Sequence, residues 1–231
     1  MALGQAGRMP DRDDAAKTAT TADSVTRGMR ALLARRDAAL AAGAAPMGWK
    51  IGFNTPAIQQ HFGLTDAVVG FLLDTGVWPD GATVSLAGWG APALEVEVAV
   101  RVGDDGEVAG LAPALELVDL AEPFDDIEPV LAGNICHRGV IFGAEVPGVD
   151  PWTMVATVTR AGDVIAEGRL VEDPATTVTF VRSFLAANGA TLEAGDRIIA
   201  GSVVAPVALA PGDELSVAFG PLGRLSVAFD V

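Results

Sequence analysis

The stretch ALEVEVAVRVG, Ala93–Gly103, is the starting point for interpreting this chain. Its valines and leucine are typical of a β-strand, in which successive side chains point to opposite faces. Glu95 and Glu97 therefore share one face with Ala93, Ala99 and Arg101. Alternating Val and Glu is typical of a strand with one solvated face. The small alanines of the glutamate face favour a different interpretation, in which two carboxylates are directed at a ligand.

A second apolar run, PALELVD at residues 113–119, adds Glu116 and Asp119. Three or four carboxylates from two neighbouring strands repel one another unless a cation lies between them. Oxygen ligands of this kind suit Mg²⁺ or Mn²⁺ better than zinc. The two strands therefore predict a metal site, with an ordinary solvated strand face as the alternative.

Composition limits the classes of function. The 231 residues are enough for one domain with a substantial core, and half of them are hydrophobic. A formal net charge of −15 repels nucleic acid, so we expect no nucleic-acid partner. The most apolar run, residues 198–212, is interrupted by proline and glycine, and we expect no membrane span. A single cysteine, Cys136, excludes an internal disulfide and favours a cytoplasmic location.

The N-terminal part of the chain predicts a tail followed by a helix. Residues 1–22 are small, polar and without periodicity, and we expect them to be disordered. Asp23 or Ser24 can cap a helix that runs to about Ala42, where Gly43 supplies a stop. This helix belongs to a helical part at residues 23–60.

The remainder of the chain predicts a β-rich core at residues 61–231, so that 23–231 form a single catalytic domain of the α+β class. Short Val/Ile/Leu-rich runs alternate there with Gly- and Asp-containing turns. One helix is predicted from the cap Asp173 to Gly189, and a weaker one from about Glu128 to Cys136.

Several segments recur in a known order. They are GWKIGF at 48–53, GFLLDTGVWPDGATV at 70–84, PALEVEVAVRVG at 92–103, ALELVD at 114–119, IIAGSVV at 198–204 and PLGRLSVAF at 221–229. From about residue 24 to the C-terminus, this order resembles the 2-keto-4-pentenoate hydratase family, in the hydratase and decarboxylase branch of the fumarylacetoacetate hydrolase superfamily. The resemblance implies a mixed β-sheet roll or sandwich with a few flanking helices, and a homo-oligomer.

The resemblance also implies roles for individual residues. Glu95, Glu97 and Glu116 correspond to the family's ligands for Mg²⁺ or Mn²⁺. Lys50 corresponds to a lysine close to the substrate, although alone it is typical of a surface lysine at a turn. Asp74 corresponds to an acid that moves protons, although Asp before Thr-Gly is ordinary turn chemistry.

Substrate-binding candidates follow the same resemblance. Ser202 lies in a Gly-Ser segment that can bind a substrate carboxylate, with a plain strand end as the alternative. Where the family has an N-A-S-S-x-G run, this chain has NICHRG, residues 134–139. If that segment lines the pocket, His137 or Arg138 can bind a second substrate carboxylate or serve as an acid; otherwise they are solvent residues at a helix end. We do not expect Cys136 to be a nucleophile. His61 is interpreted as a packing or surface histidine.

The predicted function is a metal-dependent hydratase. It would add water to a 2-hydroxy-2,4-dienoate, a small-molecule 2-oxo acid substrate of aromatic catabolism, and release a 4-hydroxy-2-oxo acid. Two alternatives use the same site, namely decarboxylation of a 2-oxo-enedioate and hydrolytic cleavage of an acylpyruvate. A third alternative is a binding or scaffold protein that has kept the fold and lost the reaction.

Overall fold

The computed structural model describes residues 12–121 and 124–231, and for residues 12–20 it describes the backbone alone. Its helices are α1 (Arg12–Ala41), α2 (Pro56–Phe62), α3 (Ile127–Ala132) and α4 (Pro174–Ala187). Within the described residues, no helix is both long and apolar enough to cross a membrane.

Helix α1 begins earlier than the sequence predicts. It starts at Arg12 rather than at Asp23 or Ser24, so residues 12–22 of the expected tail are helical. Alanine and lysine at positions 15–17 favour helix, and the capping residues at 23–24 do not interrupt it. Residues 1–11, the rest of the expected tail, lie outside the described residues.

Helix α4 matches the prediction, and α3 is shorter than predicted. Asp173 caps α4, because its side chain accepts a hydrogen bond from the Ala175 N–H at 3.0 Å. Helix α3 ends at Ala132 instead of Cys136, since Asn134 and the two residues after it adopt left-handed backbone conformations.

Thirteen strands form two sheets in the described part of the chain. The larger sheet contains β1 (Pro46–Gly52), β2 (Val68–Leu73), β3 (Val77–Trp78), β5 (Pro92–Val102), β6 (Val108–Asp119), β7 (His137–Phe142), β10 (Arg197–Ile199) and β11 (Val207–Ala208). The smaller sheet contains β4 (Thr83–Ser85), β8 (Val155–Arg160), β9 (Asp163–Arg169), β12 (Glu214–Ala218) and β13 (Arg224–Asp230). The strand orders are β2-β1-β10-β5-β6-β7-β3, with β11 on β5, and β4-β13-β12-β8-β9. The mixed, sheet-rich architecture confirms the predicted α+β class.

Strands β5 and β6 form the long antiparallel pair at the centre of the larger sheet. Glu95 lies directly opposite Glu116 in their register. The Leu/Val face of β5 is buried in the main hydrophobic core, as the alternation predicts. The glutamate face is covered as well, and Glu97 and Glu116 are fully buried. The alternative of a solvated glutamate face is therefore wrong.

Candidate metal centre

Three glutamates converge on one point at the centre of the larger sheet. Glu95 and Glu97 lie two residues apart on β5, and Glu116 extends from the neighbouring strand β6. One carboxylate oxygen from each residue lies within 4.8 Å of the other two. Period-two alternation puts the first two on one face, and the antiparallel register brings the third beside them. The predicted ligand set is thus assembled by two adjacent strands.

The hydrogen bonds in the described part of the chain leave two carboxylate oxygens of the cluster unpaired, and these oxygens can serve as ligands for a cation. Glu97 Oε2 accepts a bond of 2.8 Å from the Gly201 N–H. Glu97 Oε1 and Glu116 Oε2 are buried and have no hydrogen-bond partner among the described residues. An unpaired buried carboxylate oxygen is costly, and a divalent cation between these atoms would remove that cost. Carboxylate oxygens are the donors that Mg²⁺ and Mn²⁺ prefer, so the residues present fit the predicted metal.

Burial and the neighbouring charges also shift the pKa values of the three glutamates. Burial, with the charge of Glu116, raises the pKa of Glu95 from its ordinary value of 4.5 to about 7. Burial and the neighbouring carboxylates raise the pKa of Glu97 well above the ordinary value. Burial opposes ionisation of Glu116 too, but the charge of Lys50 and a hydrogen bond with His137 outweigh it and lower that pKa. Without a cation, the fold therefore favours ionisation of Glu116 and disfavours ionisation of Glu95 and Glu97.

Lys50 is a buried member of the site. Strand β1 carries it inward, and only 2% of the residue is exposed. Its Nζ donates hydrogen bonds to Glu116 Oε1 and, at 3.1 Å, to the Ile135 carbonyl oxygen. Burial lowers the pKa of Lys50, but the charges of Glu116 and Glu95 outweigh burial and leave the pKa raised. The interpretation of Lys50 as a surface lysine is therefore wrong.

A cavity of about 600 Å³ opens beside the cluster. Lys50 and Glu95 are lining residues, together with Ser202 and Cys136. Strand β1 and the segment after β10 bound it on two sides. The volume lies within the range of small-molecule sites, of the order of 300–1,000 Å³. The structure thus places the Lys50 ammonium group and the Glu95 carboxylate at the wall of a space that can hold a small organic acid, with Glu97 and Glu116 buried beside Glu95.

Two curated relatives match most of the chain. A 2-keto-4-pentenoate hydratase of Paraburkholderia xenovorans is 24% identical over 204 residues, covering 80% of this chain and 76% of that protein. A 4-oxalocrotonate decarboxylase of Pseudomonas putida is 30% identical over 203 residues, covering 79% of this chain and 77% of that protein. The chain belongs to this hydratase and decarboxylase family. The resemblance that the sequence motifs predict is thereby confirmed.

The fold is similar to a solved structure of the same family. That structure is 4-oxalocrotonate decarboxylase from Pseudomonas putida G7, complexed with magnesium and adipate. The TM-score is 0.80 at 22% sequence identity, and the similarity covers 96% of this chain and 100% of that one. It confirms the expected mixed-sheet fold with flanking helices. No protein-family model matches the chain.

The segment that departs most from the family pattern supports the site through its backbone. Asn134, Ile135 and Cys136 have φ values of 64°, 54° and 61°, a conformation that costs free energy in residues other than glycine. The Asn134 side chain forms two hydrogen bonds with the Phe71 backbone, at 2.9 and 3.0 Å, and holds the turn on β2. The turn directs the Ile135 carbonyl oxygen at Lys50. Sequence reasoning missed this role, because a segment with a β-branched residue, Ile135, gives no signal for a left-handed turn.

His137 and Arg138, both predicted to bind substrate, occupy different surroundings. His137 Nδ1 lies 2.7 Å from Glu116 Oε1, and burial lowers the pKa of the imidazole. Arg138 forms an ion pair of 2.8 Å with Asp119 and stacks over Trp89, 5.7 Å from the ring centroid. Neither side chain is among those that line the cavity. His137 therefore contacts a metal-ligand candidate rather than the substrate space.

Asp119 does not join the three glutamates. Its carboxylate accepts hydrogen bonds from the backbone N–H groups of Gly90 at 3.2 Å and Ala91 at 2.8 Å, in addition to the Arg138 bond. These bonds lower the pKa of Asp119 against the effect of burial. The side chain holds the connection before β5 and is not available as a fourth ligand.

Asp74 and Ser202, the last two predicted residues, also differ in position. Asp74 is exposed at the end of β2, and its carboxylate accepts a 2.8 Å hydrogen bond from the Ala45 N–H. The structure does not bring it to the cavity. Ser202 does line the cavity, but its hydroxyl is bound to the Val96 backbone, accepting from N–H at 3.0 Å and donating to the carbonyl at 3.3 Å. His61 is exposed and packs against Phe62, as expected.

Proposed function

We propose that this protein is a divalent-metal-dependent lyase that hydrates a 2-hydroxy-2,4-dienoate to a 4-hydroxy-2-oxo acid. The observation that carries the proposal is the trio Glu95, Glu97 and Glu116, of which Glu97 and Glu116 have buried oxygens without a partner among the described residues. Glu95 and Lys50 line a substrate-sized cavity beside the trio. Such a substrate presents a carboxylate and an adjacent oxygen, which together chelate a hard cation. The family membership supports the same reaction class.

The metal would be Mg²⁺ or Mn²⁺, held by the three glutamates. When bound, it supplies Lewis-acid polarisation of the substrate's 2-oxygen. Lys50 Nζ keeps its proton and provides a fixed positive charge next to Glu116, so the site is balanced before substrate enters. The Gly201 N–H holds Glu97 in place through Oε2 and leaves Oε1 free for the metal.

In this reaction one proton is added at C5 of the dienol, and the 2-hydroxyl proton is lost. Water then adds across C3 and C4, with hydroxyl at C4 and hydrogen at C3. Asp74, the acid expected to move these protons, is hydrogen-bonded at the far end of β2 and is exposed. We therefore do not assign proton transfer at the distal carbons to Asp74.

A second candidate reaction is decarboxylation of a 2-oxo-enedioate. The observation that favours it is the 30% identity to a 4-oxalocrotonate decarboxylase, against 24% to a 2-keto-4-pentenoate hydratase. Both reactions use the same chelated end of the substrate and differ at the distal carbon. They are separated by product, since only decarboxylation releases carbon dioxide.

The test is an ultraviolet assay of 2-hydroxypenta-2,4-dienoate, 4-oxalocrotonate and an acylpyruvate, each with Mg²⁺ or Mn²⁺. We expect loss of the dienoate absorbance, with a 4-hydroxy-2-oxo acid as product. Glu97→Gln should lower kcat/KM by at least about a hundred-fold, since it removes a ligand. Glu107→Gln, at an exposed turn, is the matched control and should leave the rate unchanged. Turnover of none of the three compounds would refute the proposed function.

Thermal stability offers a test that needs no turnover. Mg²⁺ with oxalate or pyruvate should raise Tm, because both bind the folded state. The scaffold alternative predicts no change in Tm. The increase should be absent in Glu97→Gln and retained in Glu107→Gln.

We also propose that residues 23–231 act as one catalytic domain, in a cytoplasmic homo-oligomer. A main buried cluster that contains residues from Met29 to Phe229 supports one domain. The lone cysteine supports a reducing compartment. Exposed Trp152 and Val171 support contact with another subunit. Light scattering should give a multiple of 23.6 kDa, and a mass of one chain would contradict the oligomer.

A further inference from the structure

A histidine lies beside one of the three predicted metal ligands. His137 Nδ1 lies 2.7 Å from Glu116 Oε1, and His137 is not a member of the trio whose carboxylate oxygens lie within 4.8 Å of one another. We infer that His137 is a positioning residue, which orients Glu116 so that Oε2 alone binds the metal and thereby favours Mg²⁺ over Ca²⁺. This inference rests on the metal site of the proposed function and adds to it the residue that sets the ion preference.

The two carboxylate oxygens of Glu116 have different surroundings, which is the first step. Oε1 accepts a hydrogen bond from Lys50 Nζ and lies beside the His137 imidazole, whereas Oε2 is buried and has no partner among the described residues. A carboxylate that binds a metal is ionised and only accepts hydrogen bonds, so Nδ1 of the imidazole donates in this contact. Two donors therefore hold Oε1 and leave Oε2 as the free ligand atom.

An irregularity in the pairing of β6 and β7 brings the imidazole to this position. Val140 lies opposite Glu116, so regular alternation would put Arg138, two residues earlier, on the glutamate face. The register then shifts, and His137 instead lies opposite Val118. Such irregularities are found next to active sites, where they re-aim a side chain. The shift thus gives the glutamate face a short, planar donor in place of a long flexible cation.

The imidazole is also enclosed, which restricts its motion. Its side chain is 9% exposed, and the Glu116 side chain is fully buried. The His137 N–H donates a hydrogen bond of 3.2 Å to the carbonyl oxygen of Asn134, whose side chain is bound to the Phe71 backbone. On the far side of the ring, Nε2 lies close to Gly76, where an added Cβ would be 3.7 Å away. The ring is therefore held from its backbone and from its edge while Nδ1 contacts Glu116.

The freedom of the ligand oxygens determines which ion the site prefers. Glu97 offers Oε1, because Oε2 is held by the Gly201 N–H, and Glu116 offers Oε2. Mg²⁺ requires near-ideal octahedral geometry, whereas Ca²⁺ accepts flexible arrangements and often takes both oxygens of one carboxylate. Carboxylates that are each restricted to one oxygen therefore suit Mg²⁺. Loss of the His137 donor would loosen Glu116 and cost more affinity for Mg²⁺ than for Ca²⁺.

Two variants of His137 differ in whether they keep the donor. His137→Asn places an amide N–H near the position of Nδ1, and His137→Leu fills the space without a donor. For chelator-treated protein, Mn²⁺ binding is measured from the electron paramagnetic resonance of free Mn²⁺, and Mg²⁺ and Ca²⁺ affinities are measured by displacement of Mn²⁺. We expect His137→Leu to lose at least about ten-fold in Mn²⁺ affinity and at least roughly three-fold in the preference for Mg²⁺ over Ca²⁺. His137→Asn should stay within about three-fold of the unmodified protein in both quantities.

The ratio of the two affinities separates positioning from a structural role. Equal losses of Mg²⁺ and Ca²⁺ affinity in His137→Leu would show a general disturbance of the fold and would overturn the inference. A loss in His137→Asn as large as that in His137→Leu would overturn it too, since the donor would then be irrelevant. His137→Phe keeps a ring without the donor and replaces His137→Leu if that variant does not fold. Glu107→Gln should leave all three affinities unchanged.

Failure of the inference can be told apart from failure of the proposed function. Unchanged metal binding in His137→Leu, with turnover of a dienoate by the unmodified protein, refutes the role of His137 and supports the lyase. The expected affinities, with turnover of none of the three test compounds, support the role of His137 and refute the reaction. Absence of Mn²⁺ binding by the unmodified protein would refute both.

Discussion

At the scale of a single residue, Lys50 offsets the negative charge of the glutamate cluster. Its charge is buried between Glu116 and the Ile135 carbonyl, and it is the cation that keeps Glu116 ionised. A buried ion pair adds little to stability compared with an apolar pair, but removal of one partner leaves a buried charge. The role of Lys50 is therefore visible in stability as well as in activity.

Replacement of Lys50 tests this balance. In chelator-treated protein, Lys50→Met should lower the free energy of unfolding by about 3–5 kcal/mol, measured by urea denaturation. The double variant Lys50→Met/Glu116→Gln should be more stable than the single variant, because it removes the unpaired charge. Arg169→Met, at an exposed basic residue of β9, is the control and should change stability by less than about 0.5 kcal/mol. A loss below about 1 kcal/mol for Lys50→Met would contradict the buried pair.

The scale of structural elements explains how Glu97 is held. The segment after β10 turns at Gly201, with φ of 99°, and its N–H reaches Glu97 Oε2. Ser202 then bonds the Val96 backbone, so the segment continues along β5 without regular strand pairing. A Cβ on Gly201 would lie 2.1 Å from Asn54 Nδ2. The glycine therefore allows both the turn and the approach of Asn54.

Gly201→Ala should weaken metal binding. The added Cβ has to displace Asn54 or move the segment, and either change shifts the donor that orients Glu97. We expect at least about a ten-fold loss of Mn²⁺ affinity, measured by calorimetry. Gly212→Ala is the matched control, because Gly212 also has positive φ, 90°, but has open space where a Cβ would lie. Gly212→Ala should lose about 1 kcal/mol of stability, because alanine disfavours positive φ, and it should keep the metal affinity of the unmodified protein. Equal affinity losses in both variants would refute the role of Gly201.

At the scale of the whole molecule, the cluster links stability to pH and to metal. In the metal-free protein the pKa of Glu95 is about 7 and that of Glu97 is also raised, against an ordinary value of 4.5. The folded state thus binds more protons than the unfolded state in this range, so stability is highest near and below pH 4.5 and falls as pH rises towards 7. The lowered pKa of Glu116 acts in the opposite direction, with stability lost as pH falls below its unfolded value.

We therefore expect metal-free protein to lose stability between pH 5 and pH 7, as measured by urea denaturation. Mn²⁺ affinity should increase over the same range, because the metal competes with the protons of Glu95 and Glu97. The double variant Glu95→Gln/Glu97→Gln should show neither trend, and Glu107→Gln should show both. Metal affinity that is independent of pH in the unmodified protein would contradict the raised pKa values.

The sequence by itself determined the β-rich class, the helix capped at Asp173 and the shared face of Glu95 and Glu97. Those features depend on local periodicity, capping and turn chemistry, which neighbouring residues specify. The order of the motifs also indicated the family and Glu116. The helix start at Arg12 and the early end of α3 were beyond such reasoning, because a cap is a preference and not an obligation.

Only the tertiary structure decided which side chains meet. It placed Lys50 on Glu116, turned His137 to the same carboxylate, and paired Arg138 with Asp119. It also left Asp74 outside the cavity and packed the Phe53 ring against Phe62 and Phe124. These outcomes depend on strand register, on three consecutive left-handed residues and on contacts between residues far apart in the chain. Local sequence specifies which face of a strand a side chain occupies, whereas its partner is set by the packing of distant segments against that face.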